Sequence, residues 1–181
     1  MREGSRCSVV ERGGEMKIYF GIDIGGHEHT VHFLDEQKRP VRDDLSIPDD
    51  VEGYDRLVSE VRELEEKYPG SEFHGGAEAT GIYWRNLFFY FQRALPEVKL
   101  SLINPLQTKR FKELELKRIH TDVADCRSIA RFMATFRVEP THLADEHMAD
   151  LCELTRYRKV KLKEYSRYRN YLHRYLKIAF P

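Results

Sequence analysis

The chain has 181 residues, 41% hydrophobic and 33% charged, enough for one sizeable core with an appendage beside it. No stretch reaches the ~18 consecutive apolar residues of a membrane span, and the N-terminus lacks the apolar core of a signal peptide, so a soluble, cytoplasmic protein is expected. Cys7, Cys126 and Cys152 are too few and too scattered for a disulfide framework or a C-x-x-C zinc spacing, and are expected as free thiols. The net charge of zero hides an asymmetry. Residues 1–104 carry 13 Lys+Arg against 20 Asp+Glu, a net of −7, and residues 105–181 carry 17 against 10, a net of +7. A basic C-terminal surface is the electrostatic footprint of a nucleic-acid binder, although long solvated helices share it.

Residues 1–15 are polar and aperiodic and are expected to be a disordered extension, with Met16 as a candidate functional start. Lys17 to Ile24 (KIYFGIDI) and Thr30 to Asp35 (TVHFLD) predict a hairpin across the Gly25-Gly26 turn region, and Val41 to Ile47 a third strand. After Pro48-Asp49-Asp50, the helical spacing of Val51, Tyr54, Leu57, Val58, Val61 and Leu64 predicts an amphipathic helix closing near Pro69-Gly70. A strand from Ser71 to Ala79, an aromatic helix from Tyr83 to Ala94 and a strand from Val98 to Ile103 follow. The alternation indicates a layered α/β fold.

Asn104-Pro105 has the residues of a helix start, and a basic helix with Lys109, Arg110 and Lys112 follows. Thr121 can cap the next helix, placing Asp122 and Asp125 in its first turn at i, i+3, on one face. From Asp145 to about Lys177 the chain lacks Gly and Pro, and Leu154, Tyr157, Tyr168, Leu172, Tyr175 and Ala179 follow a spacing near alternate threes and fours. One long helix is predicted, a basic arm with a partly aromatic, coiled-coil-like seam. Residues 155–181 carry nine Lys+Arg and the single acid Glu164.

Chemistry enters through four acids. Asp23 stands inside an apolar strand, where an ionised carboxylate costs several kcal/mol unless compensated. Glu78 ends a second strand, and Asp122 and Asp125 open a later helix. Four carboxylates can hold two Mg²⁺ ions ~4 Å apart, the arrangement that stabilises both attacking and leaving oxygens in phosphoryl transfer. Mn²⁺ can substitute. Without metal the crowded acids should repel one another, so metal is expected to stabilise the fold.

The convergence of two strands and a helix on one sheet edge is the layout of RNase H-like nucleases. More specifically, the chain from about Lys17 to Pro181 resembles the RuvC-like DEDD transposases of insertion sequences, which include the Piv-type DNA invertases. The carriers are the Gly-Ile-Asp-Ile strand, Glu78-Ala79-Thr80-Gly81-Ile82-Tyr83-Trp84, Ile103-Asn104-Pro105, Thr121-Asp122-Val123-Ala124-Asp125, and the basic helix ending at Phe180-Pro181. The resemblance implies an RNase H-like domain over residues 16–140 and a helical arm over 145–181. It implies a catalytic and metal-binding tetrad of Asp23, Glu78, Asp122 and Asp125, and Mg²⁺-dependent cleavage and transfer of DNA. It also implies a second domain with a catalytic serine beyond Pro181, without which the chain is expected to be inactive, and it extends to a homodimer or higher oligomer and a guide RNA. Two departures from the family pattern are His120, where Lys is usual, and Cys126, where Ala is usual. Neutral His120 would supply no fixed charge beside a phosphate.

Lys109, Arg110, Lys117, Arg118 and His120 beside the acids, with Arg158 and Lys161 on the arm, are the candidate nucleic-acid contacts, positioning a backbone without reading sequence. Arg85 follows the Glu78 loop and could join them. His27, His29 and His32 are assigned to a solvated hairpin rather than to zinc, with His29 or His32 near the metal edge. Tyr83, Trp84, Phe88, Phe89 and Phe91 are assigned to the core rather than to base stacking. Three other functions stay open: a nucleic-acid-binding and dimerisation module without activity, a stand-alone RuvC-like junction nuclease, and an actin-like sugar kinase. The last rests only on Gly21-Ile22-Asp23-Ile24-Gly25-Gly26, and no second phosphate loop follows residue 81.

Overall fold

A computed structural model describes residues 16–114, 122–136, 138–143 and 145–180. The chain divides into two compact units, one ending at Thr141 and one running from His142 to Pro181. Among the described residues the first unit holds five strands, β1 (Lys17–Ile24), β2 (Glu28–Asp35), β3 (Leu45–Pro48), β4 (Glu72–Glu78) and β5 (Lys99–Ile103), and four helices, α1 (Val51–Lys67), α2 (Trp84–Ala94), α3 (Pro105–Leu114) and α4 (Asp122–Thr135). The sheet order is β3-β2-β1-β4-β5. β2 runs antiparallel to both β1 and β3, whereas β4 is parallel to β1 and β5.

Side-chain alternation along β1 sends successive residues to opposite faces. Phe20 faces Phe33 of β2 and Phe91 of α2, with ring centroids 5.2 and 6.2 Å away. Its neighbour Gly21 faces α4: a Cβ there would stand 2.2 Å from the Cys126 carbonyl oxygen and 2.4 Å from the Ala130 amide nitrogen. Only a glycine lets the helix backbone come this close to the strand. Gly76, beside Gly21 in register, meets Met133 of α4 on the same face. The sheet is therefore covered on one face by α1 and α2 and on the other by α4.

Local chemistry explains the helix ends. Asp50 caps α1 by accepting a hydrogen bond from the Gly53 amide at 2.8 Å, and of the predicted apolar stripe Tyr54, Leu57, Val58, Val61 and Leu64 are buried, whereas Val51, in the first turn, is exposed. Asn104 caps α3, its Oδ1 accepting from the Leu106 amide at 2.9 Å, with Pro105 in the first helical position. The second unit is the single helix α5 (Glu146–Ala179), 34 residues long and capped by Asp145.

Three expectations are corrected. The third strand occupies Leu45–Pro48, not residues 41–47: the Val41 amide still bonds the Phe33 carbonyl at 3.2 Å, but the chain then bends and Asp44 turns into an ion-paired cluster. His29 and His32 are buried, not solvated, because β2 is covered on both faces. His29 stacks on Tyr54 and bonds Asp49 at 3.1 Å, and His32 bonds Asp44 at 2.6 Å. Of the aromatic segment, Phe88 and Phe91 are core, whereas Tyr83 precedes α2 and is exposed. The extension of residues 1–15 and the Thr121 cap lie outside the described residues. Among the described residues no helix is long and apolar enough to cross a membrane.

Candidate metal and nucleic-acid site

Asp23 and Glu78 lie near the C-terminal ends of adjacent parallel strands, one step beyond the Ile22–Ala77 register pair. Each is two residues on from a glycine that faces α4, so both project toward α4 from backbones roughly 4.8 Å apart. Asp122 is the first residue of α4, and Asp125 lies one turn further on. The side chain of Asp122 lies outside the described residues. The close approach of Gly21 to Cys126 brings the first turn of α4 down to the same edge, and the helix N-terminus there favours negative charge.

Two of the four acids expected from the sequence, Glu78 and Asp125, converge on one ammonium. Lys112 Nζ is 2.9 Å from Asp125 Oδ1 and 3.7 Å from Glu78 Oε1. One turn earlier on α3, the buried Thr108 hydroxyl donates to Glu78 Oε1 at 2.6 Å. Asp125 Oδ1 is itself buried and has no hydrogen-bond partner, so its contact with Lys112 is one of charge rather than of aligned donor and acceptor. Asp23 reaches this neighbourhood electrostatically. Burial first, then the negative charges of Asp44 and Asp23, push the Cys126 thiol up to about 12. Cys126 is therefore a neutral, buried thiol in the metal-free chain, its Sγ donating to the Val123 carbonyl at 3.2 Å.

A further network fixes α4. Asp44 accepts from Arg127, two residues after Asp125, at 2.5 Å, and from His32 Nδ1 at 2.6 Å. Burial alone would raise the Asp44 carboxyl, but its hydrogen bonds to Arg127 and His32 outweigh that and hold it below the usual range. Burial lowers His32, more than Asp44 raises it, so the ring is neutral and donates to the carboxylate.

Lys109 and Arg110 are exposed on α3, and Arg110 lines an apolar cavity of about 480 Å³ with Phe111, Leu114, Phe132, Phe136 and Val138. Lys117, Arg118 and His120 lie outside the described residues. Arg85 lies over the Phe89 ring, 5.6 Å from its centroid. On α5, Arg158 is exposed, and Lys161 pairs with Glu164 at 2.9 Å and lies over Tyr157. Sequence reasoning named Lys112 only as one residue of a basic helix and did not single out Thr108, Asp44 or Arg127. The i, i+4 spacing of Thr108 and Lys112 on one helix face was the available signal for the first two.

Among the described residues no three His, Cys, Asp or Glu side chains are grouped tightly enough to hold a metal ion as they stand. The donor set nonetheless suits one: the acids supply hard carboxylate oxygens, two of them already gathered about a cation, and one oxygen is buried without a hydrogen bond.

The strand order, with β2 antiparallel to a parallel β1-β4-β5 set, is that of an RNase H-like α/β domain, with Asp23 and Glu78 at the strand ends. The sequence matches the DEDD transposase family of the IS110 type over residues 20–181, and the chain belongs to that family. No curated protein matches it in sequence. Among solved structures it is similar to T. thermophilus RuvC in complex with Holliday junction substrate, at 14% identity and a TM-score of 0.43 over 71% of this chain and 100% of that one. It is also similar to the ethanolamine utilization protein EutJ from Carboxydothermus hydrogenoformans (17%, TM-score 0.33, 51% of this chain and 39% of that one). A Ppx/GppA family member from Aquifex aeolicus is similar at 12% and 0.37, over 56% and 39%. The fold assignment rests on the strand order and the family, not on these scores.

Proposed function

We propose that this transposase-family domain is the metal-dependent catalytic part of a DNA recombinase, with Asp23, Glu78, Asp122 and Asp125 as its Mg²⁺ ligands. The observation that carries the reading is the convergence of Glu78 and Asp125 on one cation beside the strand that bears Asp23. When bound, Mg²⁺ supplies charge stabilisation of the attacking and leaving oxygens in phosphoryl transfer. The chain's own residues do the holding. Thr108 fixes one Glu78 oxygen and leaves the other for ligation. The Asp44–Arg127 pair keeps the first turn of α4 in place, so that Asp125 meets the sheet edge.

DNA is the proposed substrate, its backbone held by Lys109 and Arg110 beside the site. Arg158 and Lys161 of α5 are assigned to nucleic acid as well. The exposed Tyr157, Tyr168, Leu172 and Tyr175 of α5 are assigned to a second copy of the chain.

Fe²⁺-directed backbone cleavage tests the ligand assignment. Loaded with Fe²⁺ in place of Mg²⁺ and treated with ascorbate and peroxide, the chain should be cut near residues 23, 78 and 122–125, and Mg²⁺ should suppress the cuts. Cuts elsewhere, or none that Mg²⁺ suppresses, would oppose the assignment.

A further inference from the structure

Lys112 is a basic residue on a basic helix, but it behaves unlike its neighbours. Lys109 and Arg110 are exposed, whereas the Lys112 side chain is only 14% exposed and ends between two carboxylates of the tetrad. Burying a lysine costs desolvation and rotamer freedom, so the position needs compensation. Glu78 and Asp125 supply it. The same ammonium relieves the repulsion that two neighbouring carboxylates would otherwise suffer.

We propose that Lys112 is a built-in counter-ion of the metal-free site, a cation that keeps Glu78 and Asp125 together before loading and that a divalent ion must displace. This rests on the reading of Glu78 and Asp125 as metal ligands. The ammonium and the metal compete for the same two carboxylates, those of Asp125 and Glu78, so occupancy by one excludes the other. Lys112 can leave without unfolding α3, because its flexible stem can swing toward solvent while Thr108 keeps the helix attached to Glu78. Lys112 is therefore a positioning residue, and it sets the metal concentration at which the site loads.

An ion pair that merely braced α3 would lower stability when removed and leave metal affinity alone. A competing cation gives the opposite affinity result: removing it tightens metal binding, as expected for two mutually exclusive ligands.

The test is calorimetric titration of the 181-residue chain with Mn²⁺, comparing the wild type with Lys112→Met, Lys112→Arg and Asp125→Asn. Lys112→Met should bind Mn²⁺ about fivefold or more tightly than the wild type, and Lys112→Arg, which keeps the charge, should not. Wild-type binding that is lost in Asp125→Asn but unchanged or weaker in Lys112→Met overturns the inference and leaves the metal reading standing. Binding by neither the wild type nor Lys112→Met defeats the metal reading, and the inference with it. A companion experiment needs no variant that might fail to fold: amine-reactive labelling of the wild type, read by mass spectrometry. Saturating Mn²⁺ should raise labelling of Lys112 severalfold while leaving Lys109 unchanged. Lys112 that stays protected with Mn²⁺ bound contradicts displacement.

Discussion

The two faces of the sheet solve different problems with the same strands. Toward α1 and α2 the packing is aromatic, with Phe20, Phe33, Phe88 and Phe91 fully buried; Tyr54 donates to Asp49, which also bonds His29 Nε2, while His29 Nδ1 is buried without a hydrogen-bond partner. Toward α4 the strands give up side-chain volume, at Gly21 and Gly76, so that a helix can descend to the edge where Asp23 and Glu78 project. The first face holds a small hydrogen-bonded group about Asp49, whereas on the second Glu78 and Asp125 gather around the Lys112 ammonium. The aromatic face packs the core, and the glycine face carries the candidate site.

Substitutions can break that comparison, beginning with the largest effect. Phe20→Ala should lower unfolding free energy by about 3–5 kcal/mol in denaturant titration, because it empties the centre of the aromatic face. Gly21→Ala should cost about 3 kcal/mol, and it should also weaken Mn²⁺ binding by lifting the first turn of α4 away from Asp23. An effect on stability without one on Mn²⁺ would separate the helix approach from the site.

Asp44→Asn should cost about 2 kcal/mol by leaving Arg127 and His32 with a neutral partner, with raised amide exchange in the first turn of α4. The His32 contribution has a definite sign. Its folded-state value lies below the ordinary 6.5, so the unfolded chain takes up protons first as pH falls. Stability from this group is present above about pH 6.5 and is lost as pH drops below it. His32→Gln should flatten that part of the stability profile. The smallest effect is expected for Thr108→Val, about 1 kcal/mol from one lost hydrogen bond to Glu78, with near-native far-UV circular dichroism.

Periodicity, with helix-start residues at α3 and α4, marked each strand and helix of the described residues, the third strand displaced toward residue 41, because amphipathic spacing and caps such as Asp50 and Asn104 act locally. Asp23 and Glu78 were legible as site candidates because a charge inside or ending an apolar strand demands compensation. Lys112 was not, since a ten-residue basic helix does not reveal which of its lysines turns toward Glu78, 34 residues earlier at the end of a strand. The burial of His29 and His32 was hidden for a related reason. A strand covered on both faces loses the polar alternation that would mark its solvent side, and partners such as Asp44 and Asp49 come from a neighbouring loop.

The most direct test of the central claim, that the tetrad acids hold a divalent metal, is Mn²⁺ calorimetry on the wild type alongside Asp23→Asn and Asp125→Asn. Both substitutions replace one carboxylate oxygen with an amide of similar size, so the fold should persist. Saturable binding in the wild type that disappears in both variants is the expected result. Wild-type affinity retained in Asp125→Asn would contradict it.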